Sequence, residues 1–207
     1  MQPPLQGTDA DIMHIALTMS ADAGSRFLPM LGEGIFFKGL GGQTVERFLV
    51  DTAGIPLAYL KERVQTVFLD GRALDDFSTA RVADGAILAL SAAMPGLAGA
   101  VLRRGGFYAP MRRQISHDSQ TLGTAGGAVL VTLKLFNMIA RELGPAFLQE
   151  GVLVPGARLE DFIQRQGRWV WQGCLSADAD GRPVSPVQIA ERIAGRRWVR
   201  LSVRNSG

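Results

Sequence analysis

The chain holds one cysteine and two histidines, so a thiolate nucleophile or a metal site of imidazole and thiolate ligands would draw on Cys174, His14 and His117. A thiolate nucleophile needs a base held against it, and nothing in the spacing ties either histidine to Cys174. Cys174 lies in a strand-like pattern and is expected to be a small buried hydrophobe. Three ligands also fall short of a closed tetrahedral site, so no metal is expected. Asp75 and Asp76 are sequence neighbours after a strand; their side chains should diverge rather than share a proton. The run "GLGGQT" (39–44) has the glycines of a phosphate loop but lacks the lysine before Thr44 that such a loop requires, and it reads as a connection into a helix. These residue types predict no catalytic group and a protein that is not an enzyme.

A different kind of chemistry is available at the carboxyl end, "RRWVRLSVRNSG" (196–207). Val199, Leu201 and Val203 alternate with Arg200, Ser202 and Arg204, the period of a strand with one face on a core. Asn205, Ser206 and Gly207 have little to bury, and they are expected to project into solvent as a mobile tail ending in an unhindered carboxylate.

The whole chain must position that end. With 207 residues, 47% hydrophobic and 20% charged, it has the composition of a folded protein of one or two domains. The single cysteine excludes an intrachain disulfide framework, and no basic-then-apolar leader follows Met1, so a cytoplasmic location is expected. The weakly polar run 86–102 is interrupted by Ser91, Pro95, Gly96 and Gly99, too broken to span a membrane. Residues 1–100 carry 7 Lys or Arg against 11 Asp or Glu, and residues 101–207 carry 15 against 8. The 15 charges are scattered with no aromatic stacking motif and can meet nucleic acid or an acidic protein partner alike; nucleic acid is the less expected of the two.

The chain repeats itself. "LPMLGEGIFFKGLGGQTVERFL" (28–49) aligns with "GPAFLQEGVLVPGARLEDFI" (144–163), and "HIALTM" (14–19), "LDGRAL" (69–74) and "AILALS" (86–91) align in order with "LVTLKL" (130–135), "ADGRPV" (179–184) and "RWVRLS" (197–202). The offset drifts only between 117 and 110 positions, as loop insertions produce. Each copy reads as strand, hairpin return, helix, Asp-Gly loop and closing strand. In the first copy, strands are predicted at 15–19, 34–37, 66–69 and 87–90. A helix should run from an N-cap at Thr44 to about Ala53 and end at Gly54. In the second copy, strands are predicted at 131–135, 151–154, 174–176 and 198–203, with a helix at 159–164. The fold class is α+β. The expected division is an N-terminal segment 1–10, a first domain 11–100, a connector 101–126 and a second domain 127–207.

This order of elements resembles the β-grasp fold of ubiquitin and of the small sulfur carriers. "GGQTVERFL", "VFLDGRALDD" and "VADGAILALSAAMPG" are similar to the carriers' helix opening, strand and ending, while "VRLSVRNSG" is similar to ubiquitin's terminal run with Ser206 in place of the penultimate glycine. A tandem pair ending in glycine resembles the two-domain ubiquitin-like modifiers, known as interferon-induced proteins in vertebrates and from bacterial operons implicated in anti-phage defence. The resemblance implies two tandem β-grasp domains and conjugation through the Gly207 carboxylate. It implies activation by an E1-like enzyme using ATP, with no cofactor on this chain, then transfer to an E2-like enzyme and on to target lysines. A JAB-type deubiquitinase-like protease would be a further partner. Leu201, Val203, Arg204, Asn205 and Ser206 would be the tail that the activating enzyme and protease recognise. The alternatives are a sulfur carrier bearing a C-terminal thiocarboxylate and a non-conjugated β-grasp binding module. A second ubiquitin-like run, "LRRGG" at 102–106, falls beyond the expected tail, because the register of Leu201 with Leu90 sets Gly207 opposite Gly96; it reads as a solvated linker. The chain has only three lysines, Lys38, Lys61 and Lys134, against nineteen arginines, which would limit self-conjugation.

Overall fold

The structure, a computed structural model, describes residues 11–93 and 126–206. Segment 1–10, His117, the 102–106 run and Gly207 lie outside those residues. In chain order the elements are β1 (Ile12–Met19), a 3-10 turn (Ala23–Phe27), α1 (Leu28–Glu33), β2 (Ile35–Leu40), α2 (Val45–Arg47), α3 (Leu57–Glu62), β3 (Thr66–Leu69), β4 (Arg72–Leu74) and β5 (Ile87–Ser91). They continue as β6 (Ala128–Leu135), α4 (Asn137–Glu150), β7 (Val152–Pro155), α5 (Gly156–Gln166), β8 (Cys174–Ala179), β9 (Arg182–Pro183), α6 (Ile189–Ile193) and β10 (Trp198–Asn205). The fold is α+β. Among the described residues no helix is long and apolar enough to cross a membrane.

Local chemistry accounts for the element boundaries. Thr44 Oγ1 accepts from the Arg47 N–H at 3.2 Å, the N-cap that starts α2. The helix then widens over Phe48–Thr52, where the Ala53 N–H reaches the Phe48 carbonyl at 2.9 Å, and it stops at Gly54, whose φ is +72°. Val45, Phe48 and Leu49 are fully buried along it. Asp70 and Gly71 have φ of +51° and +78°, and Asp180 and Gly181 have +50° and +77°. Both central residues of each turn are left-handed, which matches the twist of the strands they join.

The hairpin returns expected after the first strand of each copy are absent, and helices stand in their place. α1 separates β1 from β2, and the fourteen-residue α4 separates β6 from β7. Ile139, Ala140, Phe147 and Leu148 are buried from α4, a helical spacing. Gly144 lies where α1 and α4 approach, since a Cβ there would sit 2.5 Å from Leu28 Cδ2 and 2.7 Å from Leu31 Cδ1.

Packing divides the chain into two units, one of residues 36–93 with 126–139 and the other of residues 11–35 with 140–206. In the first, the strands lie in the order β4-β3-β5-β6-β2. β3 is antiparallel to β4 and β5, and β5 runs parallel to β6 from Ile87↔Thr132 to Leu90↔Leu135. In the second, the order is β7-β10-β1-β8-β9. β10 is antiparallel to β7 and parallel to β1, which is antiparallel to β8.

Each unit therefore takes strands from both copies of the repeat. The two Asp-Gly turns make the exchange concrete. In the first unit the Asp70 N–H donates to the Ile87 carbonyl at 2.9 Å and the Ile87 N–H donates to Asp70 Oδ1 at 2.8 Å. In the second unit the Asp180 N–H donates to the His14 carbonyl at 2.9 Å and the His14 N–H donates to Asp180 Oδ1 at 2.8 Å. β1 thus stands to its turn as β5 stands to the other, in the position where the repeat predicts β10. β10 lies one strand further in, between β1 and β7.

Candidate functional site: the end of the C-terminal strand

β10 is held on both sides. Its eight residues pair in unbroken parallel register with β1, from Ile12↔Trp198 to Met19↔Asn205, and its first four pair with β7. The expected alternation holds: Val199, Leu201 and Val203 are buried, while Arg200 and Arg204 are exposed. Leu201 and Val203 are thus core residues of this unit, facing Ile15 and Leu17 in the register. Of the five residues expected to form a recognisable tail, Arg204, Asn205 and Ser206 offer surface.

The expectation of a tail projecting freely after Arg204 is corrected. Asn205 is the last residue of the strand, and the Ser206 N–H donates to the Met19 carbonyl at 2.7 Å. The Asn205 side chain also turns back: its Oδ1 accepts from the Gly24 N–H at 3.1 Å. That N–H belongs to the 3-10 turn that comes after β1, at a helix start where backbone donors need an outside acceptor. Asn205 and Ser206 are held because β1 runs beside the strand as far as Asn205.

A cleft of about 390 Å³ opens beside this end, lined by Asp22, Leu28, Arg141, Leu148, Val203 and Arg204. Leu28, Leu148 and Val203 give its lining apolar members, and Arg141, Arg204 and Asp22 give it charged ones.

The other residues singled out by type are accounted for by local roles. Cys174 is half-buried at the start of β8, not in the core as expected, and burial pushes its thiol above the usual range. His14 is exposed on β1 and engaged through its backbone at the Asp180 turn. Asp76 accepts from the Ser78 hydroxyl at 2.5 Å, the Ser78 N–H at 2.8 Å and the Thr79 hydroxyl at 3.0 Å. These bonds, the Ser78 hydroxyl's first, hold its carboxyl below the usual range, as in a side-chain-closed turn. In the 39–44 loop the backbone donors are already engaged: the Gly41 N–H reaches the Gly127 carbonyl at 2.8 Å and the Gly42 N–H the Val82 carbonyl at 3.0 Å. They are not free to cradle a phosphate. Among the described residues no group of three or more His, Cys, Asp or Glu side chains converges.

Comparison with protein families, with curated proteins and with solved structures gives no match for this chain. The feature that sequence reasoning missed is the Asn205–Gly24 contact, whose partners are 181 positions apart. No local pattern in "ADAGSRF" (21–27) marks Gly24 as a donor to the chain's other end.

Proposed function

We propose that this chain is a ubiquitin-like protein modifier built on β-grasp units. The Gly207 carboxylate, as translated or after a protease trims any residues beyond it, is activated by an E1-like enzyme, passed to an E2-like enzyme and joined to a target lysine. ATP activates the carboxylate as an acyl-adenylate with release of pyrophosphate. A cysteine thiolate of the activating enzyme then displaces AMP to form a thioester, and an amine finally displaces the thiol. All the reacting groups except the carboxylate belong to the partners, so the chain itself is not an enzyme and needs no cofactor. Arg204, Asn205 and Ser206 are the part of the tail that partners read, with the neighbouring cleft as the adjoining surface. A role in bacterial anti-phage defence and a cytoplasmic location belong to this reading through the family it resembles.

The observation that carries the proposal is the placement of the end of β10. A central strand buries Val203 as its last core residue and then delivers Arg204 and Asn205 to the surface beside an open cleft. Further support for the β-grasp reading comes from the first unit, where β5 runs parallel to β6 and antiparallel to β3, and a helix comes after β2. The test is to incubate the chain with the activating and conjugating enzymes of its genomic neighbourhood and ATP. A lysine-linked mass increment equal to this chain should appear, and removal of Gly207 should abolish it. An increment that survives that truncation refutes the proposal. A sulfur-for-oxygen mass exchange at Gly207 would indicate the sulfur carrier instead.

One observation favours a second reading, a non-conjugated β-grasp binding module: pairing along β1 and the Met19 carbonyl hold the chain through Ser206. On that reading no adduct forms with any activating enzyme, and removing 205–207 leaves partner binding unchanged.

A further inference from the structure

The end of β10 is fastened by a side chain, which backbone pairing alone does not require. The Asn205 Oδ1 accepts from Gly24 at 3.1 Å, and Ser206, the next residue, donates to Met19 at 2.7 Å. Met19 is fully buried, so the acceptor is built into the core edge. Gly24 is buried too, and a Cβ built on it would lie 2.5 Å from Asn205 Oδ1. The fit therefore needs a short amide on one side and no side chain on the other. The segment that carries Gly24 is itself fixed: the Ser20 N–H donates to the Gly173 carbonyl at 2.6 Å, the Ala23 N–H to the Ser20 carbonyl at 3.0 Å, and the Arg26 guanidinium lies 5.0 Å from the Trp169 ring centroid. Strand β1, the turn after it and the tail form one fastening.

We infer that Asn205 and Gly24 form a latch that holds Asn205 and Ser206 docked along β1, and that it must open before the residues that follow can enter another protein's active site. This regulatory role rests on the modifier reading above. An adenylating enzyme has to draw an extended chain into a narrow site, and Ser206 cannot reach in while its N–H is held by Met19. Neither Asn205 nor Gly24 is a reacting group; Gly24 acts by positioning the tail, and Asn205 does so in addition to its place in the surface that partners read.

Amide hydrogen exchange of the full chain, followed by NMR at Ser206 and Met19, reads the latch directly and without any partner. In Asn205→Ala the acceptor is gone, and in Gly24→Ala the new Cβ displaces it. Each variant should speed Ser206 exchange on the order of tenfold, the effect of losing one hydrogen bond to a locally opening segment. The double variant should add little to either single one, because both remove the same contact. Asn205→Asp keeps an acceptor oxygen and should restore slow exchange. Exchange at Met19 should stay slow throughout, which separates tail release from general unfolding. If the Ser206 amide exchanges in the unaltered chain as fast as in an unstructured peptide, or if neither variant changes it, the latch does not exist.

Loading onto the activating enzyme is then measured on the same proteins. Faster acyl-adenylate formation in Gly24→Ala, which leaves the tail's own residues unaltered, supports the inference, and Asn205→Ala serves only the exchange measurement. Faster exchange with unchanged loading overturns the gating role while leaving the modifier reading intact. Absence of any adenylate in every protein, with the exchange results as expected, refutes the modifier reading and the gate with it but leaves the fastening of the tail demonstrated.

Discussion

Single residues in this chain owe their chemistry to small differences in placement. Cys174 illustrates this: it sits at the first residue of β8, half-buried, with its Sγ 3.4 Å from the Ser176 carbonyl. Burial disfavours the thiolate, so the neutral thiol persists to higher pH than in a free cysteine. The rate of alkylation by iodoacetamide should therefore inflect at a pH above that of free cysteine measured alongside it. An inflection shifted down would mean a cation stabilises the thiolate and would reopen Cys174 as a nucleophile. Asn205 makes the opposite point. Read as part of a polar tail it has nothing to do, and only the approach of Gly24 gives its amide a role. Contacts of that kind are invisible in the sequence because neither partner has a pattern of its own.

At the scale of elements, what was legible depended on whether a local rule had a competitor. The Asp70-Gly71 and Asp180-Gly181 turns were readable because positive φ at both positions demands these residue types. The Gly54 stop was readable for the same reason, and the Thr44 cap because its hydroxyl can accept from an N–H of the first turn. α4 was not, because Gly144 and Pro145 read as breakers inside "ARELGPAFL" (140–148), whereas tertiary packing fixes the helix through them. A second glycine of this kind opens α5. A Cβ on Gly156 would lie 2.1 Å from the Arg196 carbonyl oxygen, a backbone atom that cannot swing aside. Gly156→Ala should therefore cost about 3 kcal/mol, seen as a lower midpoint of denaturant unfolding at an unchanged slope. Gly127→Ala, where a Cβ meets open space, should change the midpoint by less than about 0.5 kcal/mol. Equal effects at the two positions would mean that the start of α5 does not approach Arg196 closely.

For the whole molecule, the repeat in the sequence and the packing in the structure answer different questions. The repeat was legible as two copies of one order of strands, because each copy carries its own alternation and turns. Which copy a strand joins is not written locally, since β1 and β6 are interchangeable by pattern: both are eight-residue strands, and their aligned stretches, "HIALTM" and "LVTLKL", differ little in character. The structure resolves the choice through contacts at great sequence distance, such as His14 with Asp180 and Met19 with Asn205. Residues 140–207 then lack the strand that lies between β10 and β8, leaving both with unpaired edges and Leu201 and Val203 without Ile15 and Leu17. That fragment alone should show no cooperative unfolding transition by circular dichroism. Adding a peptide of residues 11–35 should restore one, with a midpoint that rises with peptide concentration, as linkage requires of a partner that binds only the folded form. Cooperative unfolding of the fragment without the peptide would mean that β1 is not integral to the second unit, and that the copies fold as the repeat alone suggests. The same peptide carrying Gly24→Ala should still restore folding, because the strand pairing is intact, but with the Ser206 amide exchanging about tenfold faster. Folding and fastening of the tail are thus separable properties of one segment.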